Sequence, residues 1–162
     1  SCENIAMSYS RTYDISCTVL RPFNIYGPRP ANDDSPLEVV PRFLYAVARG
    51  ESPEIEGDGE QTRDFVHVDD VVRAFQLAAS DEKRFCAYNV GTGVSVSVTQ
   101  IATMVLETLG SKLEPSHIAP RLSDVSHTRA DMGLACSELG FEPQINITEG
   151  IKQTALELDL LT

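Results

Sequence analysis

Apolar and polar positions along the chain switch repeatedly between a period near two and a period near 3.6. The run ISCTVL at 15–20 is apolar and β-branched, which predicts a buried strand. It passes straight into RPFNIYGPRP at 21–30, where Asn24, Tyr26, Gly27, Pro28 and Pro30 crowd a single turn. Before it, CENIAMSYSRTY has helical spacing and opens at the first residues without a cap. SPLEVVPRFLYAVARG predicts a helix closed by Gly50. Its start is open between a capping box, Ser35-Pro36-x-Glu38, and a later first turn at Pro41. QTRDFVHV alternates like a strand, and Asp69 or Asp70 can cap the following VVRAFQLAAS. AYNVG is a further short strand. Ser97 and Gln100 form a capping box for VTQIATMVLETL, which Gly110 stops. ADMGLACSEL ends at Gly140, and Thr148 can cap EGIKQTALELDLL. Strands alternating with helices predict an α/β domain.

Composition narrows the picture. A chain of 162 residues fits one ordinary domain, and 42% apolar with 23% charged residues are globular values. No apolar run approaches the roughly 18 residues of a membrane span. Cys2, Cys17, Cys86 and Cys136 share no C-x-x-C spacing. Scattered cysteines suit the reduced thiols of a cytoplasmic protein, although the pattern alone leaves a secreted origin open. The net charge of −11 argues against nucleic acid and anionic membranes as partners. An anionic small ligand would need local arginines to offset that field.

Several chemistries lack their motifs. The ten glycines form no G-x-G-x-x-G, and no P-loop, H-E-x-x-H or G-x-S-x-G occurs. None of Lys83, Lys112 and Lys152 has a Tyr four residues before it. Asp69-Asp70 reads as a helix-start pair before an acid–base pair, and His67 as a core histidine within an apolar strand. His117 and His127 flank a loop without carboxylate or Cys at ligand spacing and read as surface residues; no metal site is expected.

What remains is a set of segments in a fixed order. They are RPFNIYGPRP, GDGEQTRDFVHVDDVVRAF at 57–75, YNVGTG at 88–93, PRLSDVSHTRAD at 120–131 and LGFEP at 139–143. Together they resemble the C-terminal, substrate-binding half of the extended short-chain dehydrogenases. Within these, the likeness is to the NAD-dependent nucleotide-sugar epimerase/dehydratase family, nearest the UDP-glucose 4-epimerases, and it runs along essentially the whole chain. The resemblance implies the C-terminal part of a Rossmann-like doubly wound sheet plus a small α/β substrate-binding domain. Residues 1–30 would be a remnant of the NAD-binding domain, and 31–162 mainly the substrate domain, with a returning strand near 86–92.

In that family a Tyr-x-x-x-Lys pair precedes a Glu on a long helix, and Glu3 is similar to that Glu. The resemblance therefore implies a fragment that contributes no catalytic residue of its own. As such, the 1–30 region is expected to pair with another copy, rearrange or lose order. Pro22 and Phe23 would border the nicotinamide of NAD, bound by the intact parent and not tightly by this piece. Asn24 would donate to a nucleotide sugar, UDP-linked by likeness; from the residues alone an Asx-turn that shapes the bend is the favoured reading. Arg63 and Arg121 correspond to the family's diphosphate arginines, with ion pairing to Asp64 and Asp124 as the alternative. Asp124 matches a carboxylate that accepts from the ribose. The Val39-Val40-Pro41 corner and the 53–57 strand, carrying Glu54 and Glu56, match the segments that close over the base. Asn89 either approaches the diphosphate or shapes a strand-end turn. Glu56 departs from the pattern, because relatives often carry an aromatic residue there and a carboxylate cannot stack on a base.

The implied reaction is transient oxidation at the sugar's C4, with rotation and return of the hydride. A dehydratase or decarboxylase, or a non-catalytic binding module, remains the alternative. Family members commonly form homodimers through the helix whose tail is 1–13.

Overall fold

A computed structural model describes residues 2–28, 38–81, 85–120 and 125–161. Helix α1, Cys2–Tyr13, leads into strand β1, Cys17–Pro22, and the short β2, Asn24–Tyr26. Helix α2 spans Val39–Ala48, followed by β3 at Glu54–Glu56, β4 at Thr62–Arg63 and β5 at Phe65–His67. Helix α3 is Val68–Ala79, β6 is Phe85–Val90 and β7 is Val96–Ser97. Helix α4 is Val98–Thr108 and β8 Ser116–Ile118. A π-helical turn, Ala135–Leu139, and helix α5, Ile147–Glu157, complete the order. The chain is an α/β protein with parallel strands.

Among the described residues, three of the four strand pairs are parallel, which requires crossovers between partners. β1 runs alongside β6 from Cys17↔Phe85 to Pro22↔Val90, β2 alongside β5, and β3 alongside β8; β4 and β7 are antiparallel. QTRDFVHV is therefore two strands broken at Asp64. Residues 64–67 are all buried, so the alternation marks no solvated face. The reason is that β5 feeds two cores. Phe65 packs with Tyr26, Phe43, Ile101 and Ile151, while its neighbour Val66 packs with Tyr88, Val90 and Phe141. Period-two alternation here separates one core from another, as in a strand covered on both faces.

Helix ends test the capping signals. The Ser97–Gln100 box forms: Ser97 Oγ accepts from the Gln100 amide at 3.1 Å, and Gln100 Oε1 from the Ser97 amide at 2.8 Å. Gly50, Gly110 and Gly140 adopt positive φ just beyond their helices, as glycine stops do. Two caps differ from the sequence reading. The cap of α3 is His67, whose Nδ1 accepts from the Asp69 amide at 3.3 Å, so Asp69 and Asp70 lie inside the first turn. The cap of α5 is Asn146, accepting from Glu149 at 3.0 Å, in place of Thr148. Helix α2 starts at Val39 behind Glu38 with no side-chain cap, placing Pro41 in the first turn; Ser35 and Pro36 lie outside the described residues. Helix α1 leans on β1 and leaves Ile5, Tyr9 and Tyr13, an i, i+4, i+8 stripe, more than half exposed.

Candidate functional site

The turn that opens RPFN is a change of partners. The Phe23 amide donates to Val90 O at 2.9 Å, the last contact with β6. The Asn24 amide donates to Asp64 O at 3.0 Å, the first contact with β5. Pro22 thus closes β1, and Phe23 and Asn24 sit just beyond the carboxyl ends of the parallel pair β1–β6, where open α/β sheets present ligands. Pro22 is exposed, and Phe23 and Asn24 are half-buried. The Asn24 side-chain amide makes no hydrogen bond among the described residues, so no Asx-turn accounts for it. Asn89 is committed to structure: its Nδ2 donates to Asp131 O at 3.1 Å, tying β6 to the 128–131 segment.

Beneath this edge lies a residue that the sequence reading offered only as an ion-pair partner. Asp64 is completely buried. Its Oδ1 accepts from the Thr92 amide at 2.8 Å and Thr92 Oγ1 at 2.7 Å. Its Oδ2 accepts from the Gly93 amide at 2.9 Å and the Ala130 amide at 3.0 Å. Gly91 permits the approach, since a Cβ there would stand 2.6 Å from Ala130 Cβ and 2.9 Å from Asp64 Oδ2. Asp64 forms no ion pair with Arg63. The Arg63 guanidinium, half-buried, donates instead to Thr62 O at 2.9 Å and Ser126 O at 3.4 Å. Arg121 and Asp124 lie outside the described residues.

Ser126 also borders an open cleft of about 460 Å³ formed by Glu56, the Gly57–Asp58 turn, Gln61, Pro120 and His127. Glu60 adds a third carboxylate to its wall. The wall is acidic, with Arg42 Nη1 3.7 Å from Glu56 Oε1 as a local counter-charge. His127 and His117 are exposed, as expected of surface residues, and each also makes a hydrogen bond to the fold. His127 Nδ1 hydrogen-bonds Thr62 Oγ1 at 3.0 Å, and His117 Nδ1 bonds Gly57 O at 2.8 Å, pinning the GDG turn. Val40 is fully buried in the core and Val39 half-buried, so this corner can offer a ligand Val39 and main-chain groups. Glu54 is exposed on a separate groove with Arg42, Arg49 and Ser116. The described site residues therefore fall into a strand-end group, a cleft group and Glu54 on its own groove, with Arg63 reaching from the first toward the second through Ser126.

Two residues beyond Asn24, the Tyr26 phenol is held well above its ordinary pKa, first by burial and then by the Asp70 charge. Its ring meets His67 edge-on at 5.2 Å, and both Tyr26 OH and His67 Nε2 are buried without a hydrogen-bond partner among the described residues. These two side chains are core groups of β2 and β5.

Residues 1–91 match the NAD dependent epimerase/dehydratase family. The chain belongs to that family. Among its members, UDP-glucose 4-epimerase of Mycolicibacterium smegmatis is 39% identical over 90% of this chain and 46% of its own length. A putative UDP-glucose 4-epimerase of Methanocaldococcus jannaschii is 35% identical over 93% of this chain and 48% of its own length. The UDP-glucose 4-epimerase of Thermotoga maritima, solved with UDP-glucose, superposes with a TM-score of 0.91 at 38% identity. That match covers 97% of this chain and 50% of the other. Epimerase/dehydratase relatives named for other outcomes also align, including UDP-glucuronic acid decarboxylase 1 of Arabidopsis thaliana at 31% identity over 92% of this chain and 34% of its own length. The chain spans about half the length of the curated relatives it matches.

The Phe23 amide is already bonded to Val90, so the Pro22–Phe23 edge can meet a nicotinamide through side-chain surface and carbonyl acceptors. No glycine-rich phosphate loop accompanies it in this sequence.

Proposed function

We propose that this chain holds the nucleotide sugar for an NAD-dependent epimerase of the UDP-glucose 4-epimerase type. The observation that carries this reading is Asn24: a half-buried amide with no hydrogen bond among the described residues, at the carboxyl ends of two parallel strands. Arg63, anchored by Thr62 O and Ser126 O beside the acidic cleft, is assigned to the diphosphate together with Arg121, and Asp124 to the ribose. The Val39–Pro41 corner, Glu54 and Glu56 are assigned to the base side, with Glu56 accepting a ring N–H in place of stacking. Asn89 supports the site through Asp131 and is not given a ligand contact.

Residues 1–30 are assigned to the cofactor-binding fold and 31–162 mainly to the substrate domain, with β6 returning to the former. NAD, when bound in an intact enzyme, accepts and returns the hydride at the sugar's C4. This chain orients the nucleotide so that the sugar can turn, with Pro22 and Phe23 beside the nicotinamide. No Tyr-x-x-x-Lys pair occurs in the sequence, so proton transfer is not part of this chain's share. The Ile5–Tyr9–Tyr13 stripe is assigned to a homodimer contact, and the four free cysteines suit a cytoplasmic site. The decarboxylase relatives support a second outcome on the same scaffold, decided by product analysis of an intact enzyme.

Calorimetric titration with UDP-glucose, UDP and NAD tests the reading, with an epimerisation assay in added NAD. The expected result is binding of both uridine ligands, weak or no NAD binding and no turnover. Turnover above background would remove the purely substrate-holding role. Affinity unchanged in both Asn24→Ala and Arg63→Ala would remove the site.

A further inference from the structure

We infer that Asp64 is a positioning residue of this site: its carboxylate fills a nest of backbone amides and thereby fixes the strand end that carries Asn24 and Arg63. The inference rests on the nucleotide-sugar reading above. Consecutive amides in a glycine turn form a concave anion-binding surface. In Gly91-Thr92-Gly93 that surface is aimed inward, and its anion is part of the chain. Thr92 N, Thr92 Oγ1, Gly93 N and Ala130 N all point at the two Asp64 oxygens, between 2.7 and 3.0 Å.

The four donors come from segments 28 and 66 residues away, so one side chain joins the turn after β6, the 128–131 segment and the β4–β5 junction. The main chain of the same residue completes the link, because Asp64 O accepts the Asn24 amide at 3.0 Å. Arg63 is the preceding residue, held in register with Val96. A shift of Asp64 therefore moves both assigned reading groups together. An acceptor-only carboxylate suits four donors, whereas an amide would turn one oxygen into a second donor facing N–H groups.

The test uses the 162-residue chain, ¹⁵N-labelled, with UDP-glucose as probe. Asp64→Asn is expected to weaken UDP-glucose binding about tenfold or more, as loss of charge-assisted hydrogen bonds does. Thr92→Val, which removes the hydroxyl that donates to Asp64 and accepts from the Val94 amide and leaves the nest amides, keeps the question open to measurement if Asp64→Asn does not fold; it is expected to weaken binding about threefold. Because the nest acts through Asn24 and Arg63, adding either variant to a chain already carrying Asn24→Ala and Arg63→Ala should lose little further affinity. Simple additivity would assign the nest a structural role alone and overturn the inference. So would unchanged affinity in Thr92→Val and Asp64→Asn. If the unsubstituted chain binds no UDP-glucose, the nucleotide-sugar reading fails by itself, and the amide spectrum decides the inference. Asn24 and Arg63 amides shifted in Thr92→Val support it, and amides left in place overturn it.

Discussion

Two buried carboxylates, six residues apart in sequence, hold two different regions. Asp64 and Asp70 are both fully buried, and both accept hydrogen bonds from distant main-chain amides. Around Asp64 all four donors are neutral, and the elements gathered are the strand end and loops of the candidate site. Around Asp70 the donors are the Gln144 and Ile145 amides at 3.1 Å, and a cation joins them, Arg73 Nη1 at 3.0 Å. That second region docks the segment leading into α5. Arg73 also lies 5.9 Å from the Phe141 ring centroid and donates to Glu142 O. Each region has a glycine where a backbone must come close: Gly91 against Asp64 and Ala130, and Gly150 against the Tyr26 hydroxyl. The difference teaches that similar burial and similar chemistry serve a site in one place and a tertiary joint in the other. What separates them is which segments the carboxylate collects.

The largest expected effect lies in the joint. Asp70→Ala leaves two amides and a half-buried guanidinium without their acceptor and should lower unfolding free energy by about 3 kcal/mol, read by urea denaturation. Nucleotide affinity of the folded fraction should hardly change. An equal loss of affinity would erase the distinction between the two regions. Next comes Arg63→Ala, expected to weaken UDP-glucose binding by about 2 kcal/mol, roughly thirtyfold, with little change in stability. Arg63→Lys should restore part of that, since an ammonium keeps the charge and loses the planar fork. Arg73→Ala is expected to destabilise by about 1 kcal/mol through its lost pair, carbonyl bond and ring contact, again without affecting affinity.

The smallest effect concerns Tyr26, which touches both regions through β2 and Gly150. Tyr26→Phe removes a buried hydroxyl that has no hydrogen-bond partner among the described residues and should leave stability equal or raise it by up to about 1 kcal/mol. Its pH signature is specific. The folded phenol is held above the ordinary value of about 10, so below that pH both folded and unfolded chains keep the proton. Above it the unfolded chain alone loses the proton, and stability falls with rising pH. Tyr26→Phe should flatten that alkaline fall in denaturation curves recorded on either side of pH about 10.

Much of the local plan was readable from residue order. The Ser97–Gln100 box, the glycine stops and the end of the strand at RPFN depend on neighbours within a few positions, and such neighbours are fixed by covalent spacing. The segment order likewise carried the family. His67 as a cap was missed because a histidine in an apolar alternation has no side-chain signal for capping; only the helix start at Val68 brings the Asp69 amide to its Nδ1. Asn146 prevailed over Thr148 for the same kind of reason, since the docked segment sets where α5 begins.

By itself the sequence determined the α/β alternation and the segment order that carries the family; the ligand roles of residues 22–24 and Arg63 are proposals drawn from that likeness. Only the tertiary structure decided that QTRDFVHV breaks at Asp64, that Val40 is core, and that Asn89 serves Asp131. It also decided that, among the described residues, Asp64 faces amide and hydroxyl donors while Asp70 faces Arg73. The physical reason is range. Propensity and capping act over one helical turn, whereas the donors that make a buried carboxylate tolerable arrive from 28, 66 and 74 residues away, after the parallel strands have crossed over and paired.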